Sequence, residues 1–440
     1  MTFKKIKKYL FKDEHLDRKK LWCIFLLCAI LMLCMEKAIE KLPLELWKFT
    51  DLAIADIDFN DIYYQTYYQP SRKRDVILIN TGSLEPQYMR NQLGLLLAEL
   101  DKYQPSAVGI DMIFTDVKDS ADTHNLHKLI IGNNVVIGKD LNHTSVFDSL
   151  KPKPKLGYIN LPITTRASVR EYYNHYDLVE AGDTITYPSF ARRLYAIAEG
   201  DSPDKSESTS LLRYDCIGKG FYEALHAKQD TDSAYYCFPA VEGYDVLART
   251  GIDNDTLRRL IKGKIVIVGH LGSPWLTNSN DMLDKHSTPT DWQLVNRIPI
   301  MPGAVVHANA VQMLMDKSDY TEISDPWYSI MRYGLLAGCL WLFFIFEKRI
   351  RNIPLAFIID LLFLLFLTLF LIWLGIVLVG IGYHLRILKM VLMVVLLVEF
   401  KGFAFALYHH WEEHDAEDKR VKKEKKKHRR NKKRLIISKA

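Results

Sequence analysis

One aspartate, two histidines and an asparagine near the expected ends of buried strands are the residues best suited to chemistry in this chain. Asp111 falls inside or just past the run "SAVGIDMIF", and His270 follows "KGKIVIVG". His307 and Asn309 lie in "VVHANA", where a strand is expected to pass into a helix. Asn80 and Thr81 follow "DVILI", and Asp281 and Thr288 sit on the loop "NSNDMLDKHSTP". Carboxylate, imidazole and amide groups together can line a polar pocket, or hold a borderline metal as a carboxylate–imidazole site. No two such ligands recur at a tight spacing such as H-x-x-x-H, so no bound metal is expected. A plainer reading stands beside this one: Asp111 caps a helix or bonds loop amides, and His307 satisfies buried backbone.

Such residues need a scaffold that brings distant strand ends together. "DVILINTG" (Asp75–Gly82), "SAVGIDMIF" (Ser106–Phe114), "NNVVIGK" (Asn133–Lys139) and "GKIVIVGH" are short β-branched runs that read as strands. Between them, "PQYMRNQLGLLLAELDKY" (Pro86–Tyr103) carries Leu93, Leu96, Leu97 and Leu100 at helical spacing. A second helix is expected over Ala121–Ile131, and "AVVHANAVQMLM" (Ala304–Met315) runs into another. This alternation predicts an α/β fold, a mostly parallel sheet with helices on both faces. Ligands of such sheets bind beyond the carboxyl ends of the strands. The stretch from about 140 to 260 is less regular, with turn-rich insertions such as "EGDSPDKSESTS".

Gly269 invites a nucleotide reading that its neighbours refuse. The later glycines of a G-x-G-x-x-G turn are missing, and no G-x-x-x-x-G-K-[ST] occurs. Gly269 is therefore expected to be a turn glycine ending a buried strand. Ser273, His307 and Asp111 can be assembled into a triad on paper, but Ser273 sits in "HLGSP", not in a G-x-S-x-G elbow. The expectation is a protein without catalytic residues, cofactor or enzymatic activity.

Charge is segregated along the chain. The first 20 residues hold 8 Lys+Arg against 3 Asp+Glu, residues 21–346 hold 31 against 40, and residues 347–440 hold 19 against 9. Basic poles around an acidic middle suggest a membrane protein sorted by charge. "LWCIFLLCAILMLCM" is shorter than the roughly 20 residues of an ordinary span, and no small-x-small cleavage site follows it. Extended by snorkelling Lys20 and Lys37, it reads as an uncleaved signal anchor over 21–37. A second span is expected over 327–346, with Arg332 its single charge. A hairpin of two more occupies 353–408, roughly 353–373 and 387–408, turning near "WLGIVLVGIGYHLR". Four spans place the basic residues 1–20 and the tail 409–440 in the cytoplasm and the domain 38–325 outside. Asp360, inside a span, is a functional candidate in principle, with snorkelling or helix packing as its plainer role. Lys419–Arg434 has twelve basic residues in sixteen, and reads as a topology determinant and lipid headgroup contact. Without interleaved aromatics it does not read as a nucleic-acid surface.

Seven pieces carry a family resemblance: "DVILINTGSLE", "SAVGIDMIFTD", "GYINLP", "YPSFARRL", "YDVL", "LIKGKIVIVGHLG" and "IMPGAVVHANAVQML". In that order, over roughly Asp75 to Leu314, they resemble the CHASE domain, type 2, an extracellular sensory module of bacterial membrane signalling proteins. The resemblance implies ligand or stress sensing outside the membrane, with a kinase or cyclase after the helices. Here a 32-residue charged tail follows instead, so output is expected from a separate cytoplasmic protein. Asn80 is a second departure, standing where the family often has Asp. The expected ligand-binding set is Asn80, Asp111, His270, Asp281, His307 and Asn309. The expected location is the bacterial inner membrane, multi-pass, with the main domain periplasmic or extracellular. Expected partners are the bilayer, an extracytoplasmic ligand or protein, a cytoplasmic signalling protein and a second copy of the chain, with no nucleic acid. A scaffold subunit of a cell-envelope complex is the rival reading.

Cys23, Cys28, Cys34 and Cys339 lie in expected spans and act there as small apolar residues. Cys216 and Cys237 face an oxidising compartment, where a bond between them would staple the irregular insertion and contribute about 3 kcal/mol. Two unpaired buried thiols are the alternative. His409, His410 and His414 around Trp411 read as an interfacial collar rather than a metal cluster. "DIYYQTYYQPSRKRD" reads as cover for the sheet edge.

Overall fold

The computed structural model describes residues 18–41, 75–115, 120–132, 134–161, 169–180, 183–201, 209–214, 238–272, 284–288, 301–318, 320–349 and 353–384, with single helical positions between 390 and 421. The chain forms two compact units. One is Asp56–Thr321 with Val379–Tyr383; the other is Met1–Ala55 with Glu322–Leu378 and His384–Ala440.

In chain order, α1 (Arg18–Lys41) precedes β1 (Val76–Asn80), α2 (Met89–Asp101), β2 (Ala107–Asp111), α3 (Ser120–Gly132), β3 (Val135–Lys139) and β4 (Lys155–Tyr158). There follow β5 (Glu171–Tyr173), β6 (His175–Glu180), β7 (Asp183–Pro188), α4 (Phe190–Glu199), β8 (Thr209–Leu211) and β9 (Ala240–Glu242). The remainder is α5 (Gly243–Ala248), α6 (Asn254–Ile261), β10 (Ile265–Gly269), β11 (Lys285–His286), β12 (Met301–Pro302), α7 (Gly303–Asp316), β13 (Thr321–Glu322), α8 (Asp325–Arg349), α9 (Ile353–Gly380) and β14 (Tyr383–His384).

The first unit is an α/β fold. Its six-stranded sheet runs β4-β3-β2-β10-β1-β9, with every pairing parallel. β1, β2 and β10 are buried along their whole length, as expected of parallel strands covered on both sides. Their side chains divide by the two-residue period. Ile77, Ile79, Val108, Ile110, Val266 and Val268 meet leucines of α2 together with Leu126, Ile130, Val246, Leu257 and Ile261 of α3, α5 and α6. Val76, Leu78, Ala107, Ile265 and Ile267 meet Phe190 and Leu194 of α4 and Val305 of α7. In α7 every residue from Gly303 to Leu314 is buried. A helix apolar on all sides needs cover on all sides, and Val169, Tyr172, Leu212 and Tyr214, in and beside the β5–β8 pair, belong to the same cluster.

The other unit is helical. Ile24 and Cys28 of α1 pack with Leu336, Cys339, Leu340 and Phe343 of α8 and with Met393 and Leu397. Among the described residues one helix, Ile358–Gly380, is long and apolar enough to cross a membrane, with mean hydropathy 3.0. Ile358, Leu361, Leu362, Leu365, Phe366, Leu369, Phe370, Trp373 and Val377 form an exposed stripe along it. The helix runs past the expected boundary at 373 because nothing charged or prolyl interrupts it, and it stops at a turn where Gly382 takes φ 87°. Of the expected span 387–408 only single helical positions are described.

Candidate functional site

β1 and β2 hand the chain to helices on one face of the sheet, whereas β10, lying between them, leads to α7 on the other. The carboxyl end of β10 is therefore where the connections diverge, the place where open α/β sheets receive ligands. The register aligns Asn80 with Gly269 and Gly269 with Asp111. By the strand period all three face the α4/α7 side.

Asn80 ties this end of the sheet together. Its Oδ1 accepts from the backbone N–H groups of Gly82 and Leu271, both at 2.9 Å. Its Nδ2 donates to the Gly272 carbonyl at 2.9 Å and to both Glu242 carboxylate oxygens at 3.0 and 3.2 Å. A carboxylate could accept the first pair but could not donate the second, so the amide is what this arrangement requires. The turns it joins touch: a Cβ on Gly82 would lie 1.9 Å from the Gly272 carbonyl oxygen. Thr81, buried beside it, donates its N–H to the Gly269 carbonyl at 2.9 Å.

Gly269 corrects an expectation. It is the last residue of β10 and is absent from the positive-φ positions, so turn conformation does not explain it. A Cβ there would stand 2.7 Å from that of Ala304 on α7 and 3.3 Å from that of Asp111. Glycine is needed because α7 lies directly on the strand. α7 itself begins at Gly303, so His307 and Asn309 lie inside a helix and not at a strand-to-helix passage. The two-residue strand before it pairs antiparallel with β11, outside the main sheet.

The close approach of α7 brings His307 to Asp111. Nε2 lies 4.0 Å from Oδ1, with side-chain exposures of 2% and 4%; that distance is too long for a hydrogen bond. Asp111 Oδ2 and His307 Nδ1 have no hydrogen-bond partner among the described residues. Neither plain role expected for Asp111, a helix cap or a bond to loop amides, is present at that oxygen. Phe190 and Tyr172 set their rings edge-on to the imidazole, at 5.2 and 6.4 Å between centroids. The Tyr172 hydroxyl donates to Ser189 Oγ at 2.6 Å and accepts from the Ala191 N–H at 2.9 Å, so that wall is fixed to the start of α4. Asp284 stands over the first turn of α7: its carbonyl accepts from Gly303 N–H at 2.8 Å. A Cβ on Gly303 would meet its carboxylate at 2.5 Å. Gly303 and His307, four apart, share a helix face.

Burial pushes the Asp111 carboxyl well above the ordinary carboxylate range, and the charge of Asp284 adds to it. Burial also lowers the His307 imidazole to about 4, against the opposing charge of Asp284, with His286 acting in the same direction as burial and a hydrogen bond to the Ile159 backbone opposing it. A carboxyl biased toward its protonated form beside an imidazole biased toward its neutral form offers a donor and an acceptor, a pair suited to a polar ligand or to moving a proton.

The structure thus brings together Asp111 and His307 and sets Asn80 in the same row. His270 is the half-buried residue just beyond β10, and Thr288 is buried after β11. Asn309 is drawn away, donating to the Val305 carbonyl of its own helix at 2.9 Å. Asp281, Cys216 and Cys237 lie outside the described residues. Sequence reasoning missed Glu242, Asp284 and Tyr172; the "YDVL" match begins two residues beyond Glu242, and the loop singled out for Asp281 and Thr288 contains Asp284. It also missed Asp140 and Asn160, at the ends of β3 and β4. Asn160 donates to Asp140 at 2.5 Å and accepts from Leu141 N–H at 2.8 Å, while His143 bonds the other Asp140 oxygen. That cluster is internally satisfied. No group of three metal-binding side chains stands close enough to hold an ion among the described residues.

A family profile described as the CHASE2 domain matches residues 24–346 of the chain. That family is an extracellular sensory one. No curated protein and no solved structure matches the chain.

Proposed function

The chain belongs to the CHASE2 domain family, and from that premise we propose that it is a membrane-anchored receptor. It holds its α/β unit outside the cytoplasm and receives a ligand or partner over the ends of β1, β10 and β2. The observation that carries this reading is the pair of buried, unpartnered polar atoms, Asp111 Oδ2 and His307 Nδ1, at the point where the connections diverge. An unsatisfied buried polar group costs about 1–3 kcal/mol, and no contact among the described residues offsets it.

The anchoring rests on the apolar stripe of α9, on α1 and α8 packed into one helical unit, and on the basic residues at both ends of the chain. Four spans with both ends in the cytoplasm satisfy those charges. Only the eight residues 317–324 separate α7 from α8, so a displacement of α7 is passed along the chain to the helical unit. From there the basic tail engages a separate cytoplasmic protein. Signalling of this kind requires the ligand to bind the two states with different affinity.

The test is a thermal-shift screen of small molecules against the full chain in lipid nanodiscs. The expected result is a stabilising compound whose effect vanishes in Asp111→Ala, with unliganded unfolding still cooperative. A reporter inserted at the Gly251 turn should be active only outside the cytoplasm. A cytoplasmic signal there refutes the orientation. Fixed-stoichiometry co-purification with envelope proteins, with no compound shifting the melt, favours a scaffold instead.

A further inference from the structure

Asp111 and His307 belong to different layers: one ends a central strand, the other sits one turn into the helix that covers it. Their facing atoms are 4.0 Å apart, about 1 Å beyond an ordinary hydrogen bond. The imidazole is held between Phe190 and Tyr172, so the gap closes by moving α7 against β2 rather than by turning a ring. What decides whether it closes is the pair's proton count. A carboxyl O–H can donate to an imidazole nitrogen. A carboxylate buried here lies instead with the Asp284 carboxylate nearby.

We propose that Asp111 and His307 are a proton-binding latch between β2 and α7. One proton taken from solvent onto an Asp111 carboxyl oxygen is donated in a hydrogen bond to the His307 ring nitrogen that bears no hydrogen, and draws α7 onto the sheet. Its return to solvent leaves a buried carboxylate and loosens the helix. The latch deepens the receptor reading, on which it rests only for the claim that acidity outside the cell is a stimulus.

The ionisable groups acting on the pair are Asp284 before β11, His286 on β11 and Tyr172 on β5. α7 carries no other ionisable side chain between Gly303 and Leu314. The raised carboxyl of Asp111 and the lowered imidazole of His307 agree with a proton residing on the acid. The chemistry selects a proton over a metal ion: a proton needs two donor atoms, whereas a bound metal takes at least three protein ligands. No such group converges among the described residues.

Hydrogen exchange read by mass spectrometry on the full chain in nanodiscs tests the latch, with exchange corrected for the intrinsic effect of pH. Peptides of α7 should exchange at least tenfold faster at pH 8 than at pH 5, while peptides of α6 serve as the internal reference. Asp111→Asn, whose amide donates at every pH, should keep α7 slow throughout. His307→Gln should also remove the pH dependence, and it is the deciding variant where Asp111→Asn loses protection in α6. An α7 rate independent of pH in the unaltered chain overturns the latch. So does a wild-type pH response in both variants, or a slow state that requires a divalent cation and disappears with a chelator. Should α7 respond while the Gly251 reporter lies in the cytoplasm, the latch stands and the receptor reading falls. Should the reporter lie outside and α7 not respond, the latch alone falls.

Discussion

Asn80→Asp exchanges one atom and should be among the most damaging single changes in the α/β unit. Asn80 is fully buried, and its amide nitrogen donates to the Gly272 carbonyl and to Glu242. Losing the bond to a carboxylate costs about 1.5–3 kcal/mol and losing that to a carbonyl about 1 kcal/mol. The new carboxylate also stands about 3 Å from the nearer Glu242 oxygen, the place the nitrogen occupied at 3.0 Å. Two carboxylates so close do not both ionise, and one takes up a proton. At pH 7 that protonation costs about 4 kcal/mol for an acid with an ordinary pKa near 4, which caps the repulsion, and the added O–H restores one bond to Glu242. The net loss is about 5 kcal/mol, and for a unit of this size that corresponds to a fall in melting temperature of about 10–20 °C. The shared proton gives the carboxyl pair a raised pKa in the folded state. Its stability deficit therefore shrinks toward pH 5 and grows as pH rises. Tryptophan fluorescence during thermal unfolding of the full chain in detergent measures both effects. Adding Glu242→Gln supplies the missing donor and should restore most of the loss. A fall under about 2 °C, a fall equal at pH 5 and pH 8, or no rescue by Glu242→Gln refutes the account of Asn80.

The Asp111–His307 pair should separate into opposite pH slopes. Asp111→Asn leaves an imidazole lowered from 6.5 to about 4, so melting temperature falls as pH drops through that window, by up to about 3 kcal/mol of stability. His307→Gln leaves a carboxyl raised by burial, so melting temperature falls as pH rises above the ordinary carboxylate range; slopes of the same sign contradict the assignment. Gly269→Ala places a methyl 2.7 Å from the Ala304 Cβ and should cost about 1–3 kcal/mol by overpacking. Gly334→Ala, with nothing within 4 Å inside helix α8, should not lower the same melting curve and should raise it slightly, since alanine favours a helix over glycine. Tyr172→Phe removes the hydroxyl between Ser189 and the Ala191 N–H and should lower stability by about 1–3 kcal/mol, read by the same assay.

The four central strands and the helices α2 and α3 were legible because each has its own signal: a β-branched run of strand length, or leucines three and four apart. β4 and β9 were not. "KLGY" and "AVE" are four and three residues long, and backbone pairing with β3 and β1 makes them strands where their own apolar content does not. α7 misled in the opposite way. Buried from Gly303 to Leu314, it has no polar face to mark a helical period, so its first turn looked like the end of a strand. Asp111 and His307 stood out as polar residues within apolar runs. Asn309 met the same test and donates to the Val305 carbonyl of its own helix, a difference that helical geometry creates and residue type does not reveal. Glu242 and Tyr172 reach the site from the least regular part of the sequence, and Asp284 from a loop, where neither spacing nor period connects them to a strand end.

The energetics favour a device over a defect at the centre of this unit. Two unsatisfied buried atoms, at about 1–3 kcal/mol each, amount to about 2–6 kcal/mol. Moving a two-state equilibrium from 1:99 to 99:1 takes about 5.5 kcal/mol, within the same range. A contact that satisfies the Asp111 carboxyl in one position of α7 and not in the other therefore supplies part of that difference, without any large domain rearrangement. The burial that makes the pair costly also keeps water from satisfying it, so the whole difference falls on α7. Filling the site with apolar side chains would raise stability and abolish the two states. The same substitution in a scaffold would raise stability and leave function untouched, so Asp111→Leu combined with His307→Leu distinguishes a receptor from a structural subunit by whether a more stable protein still works.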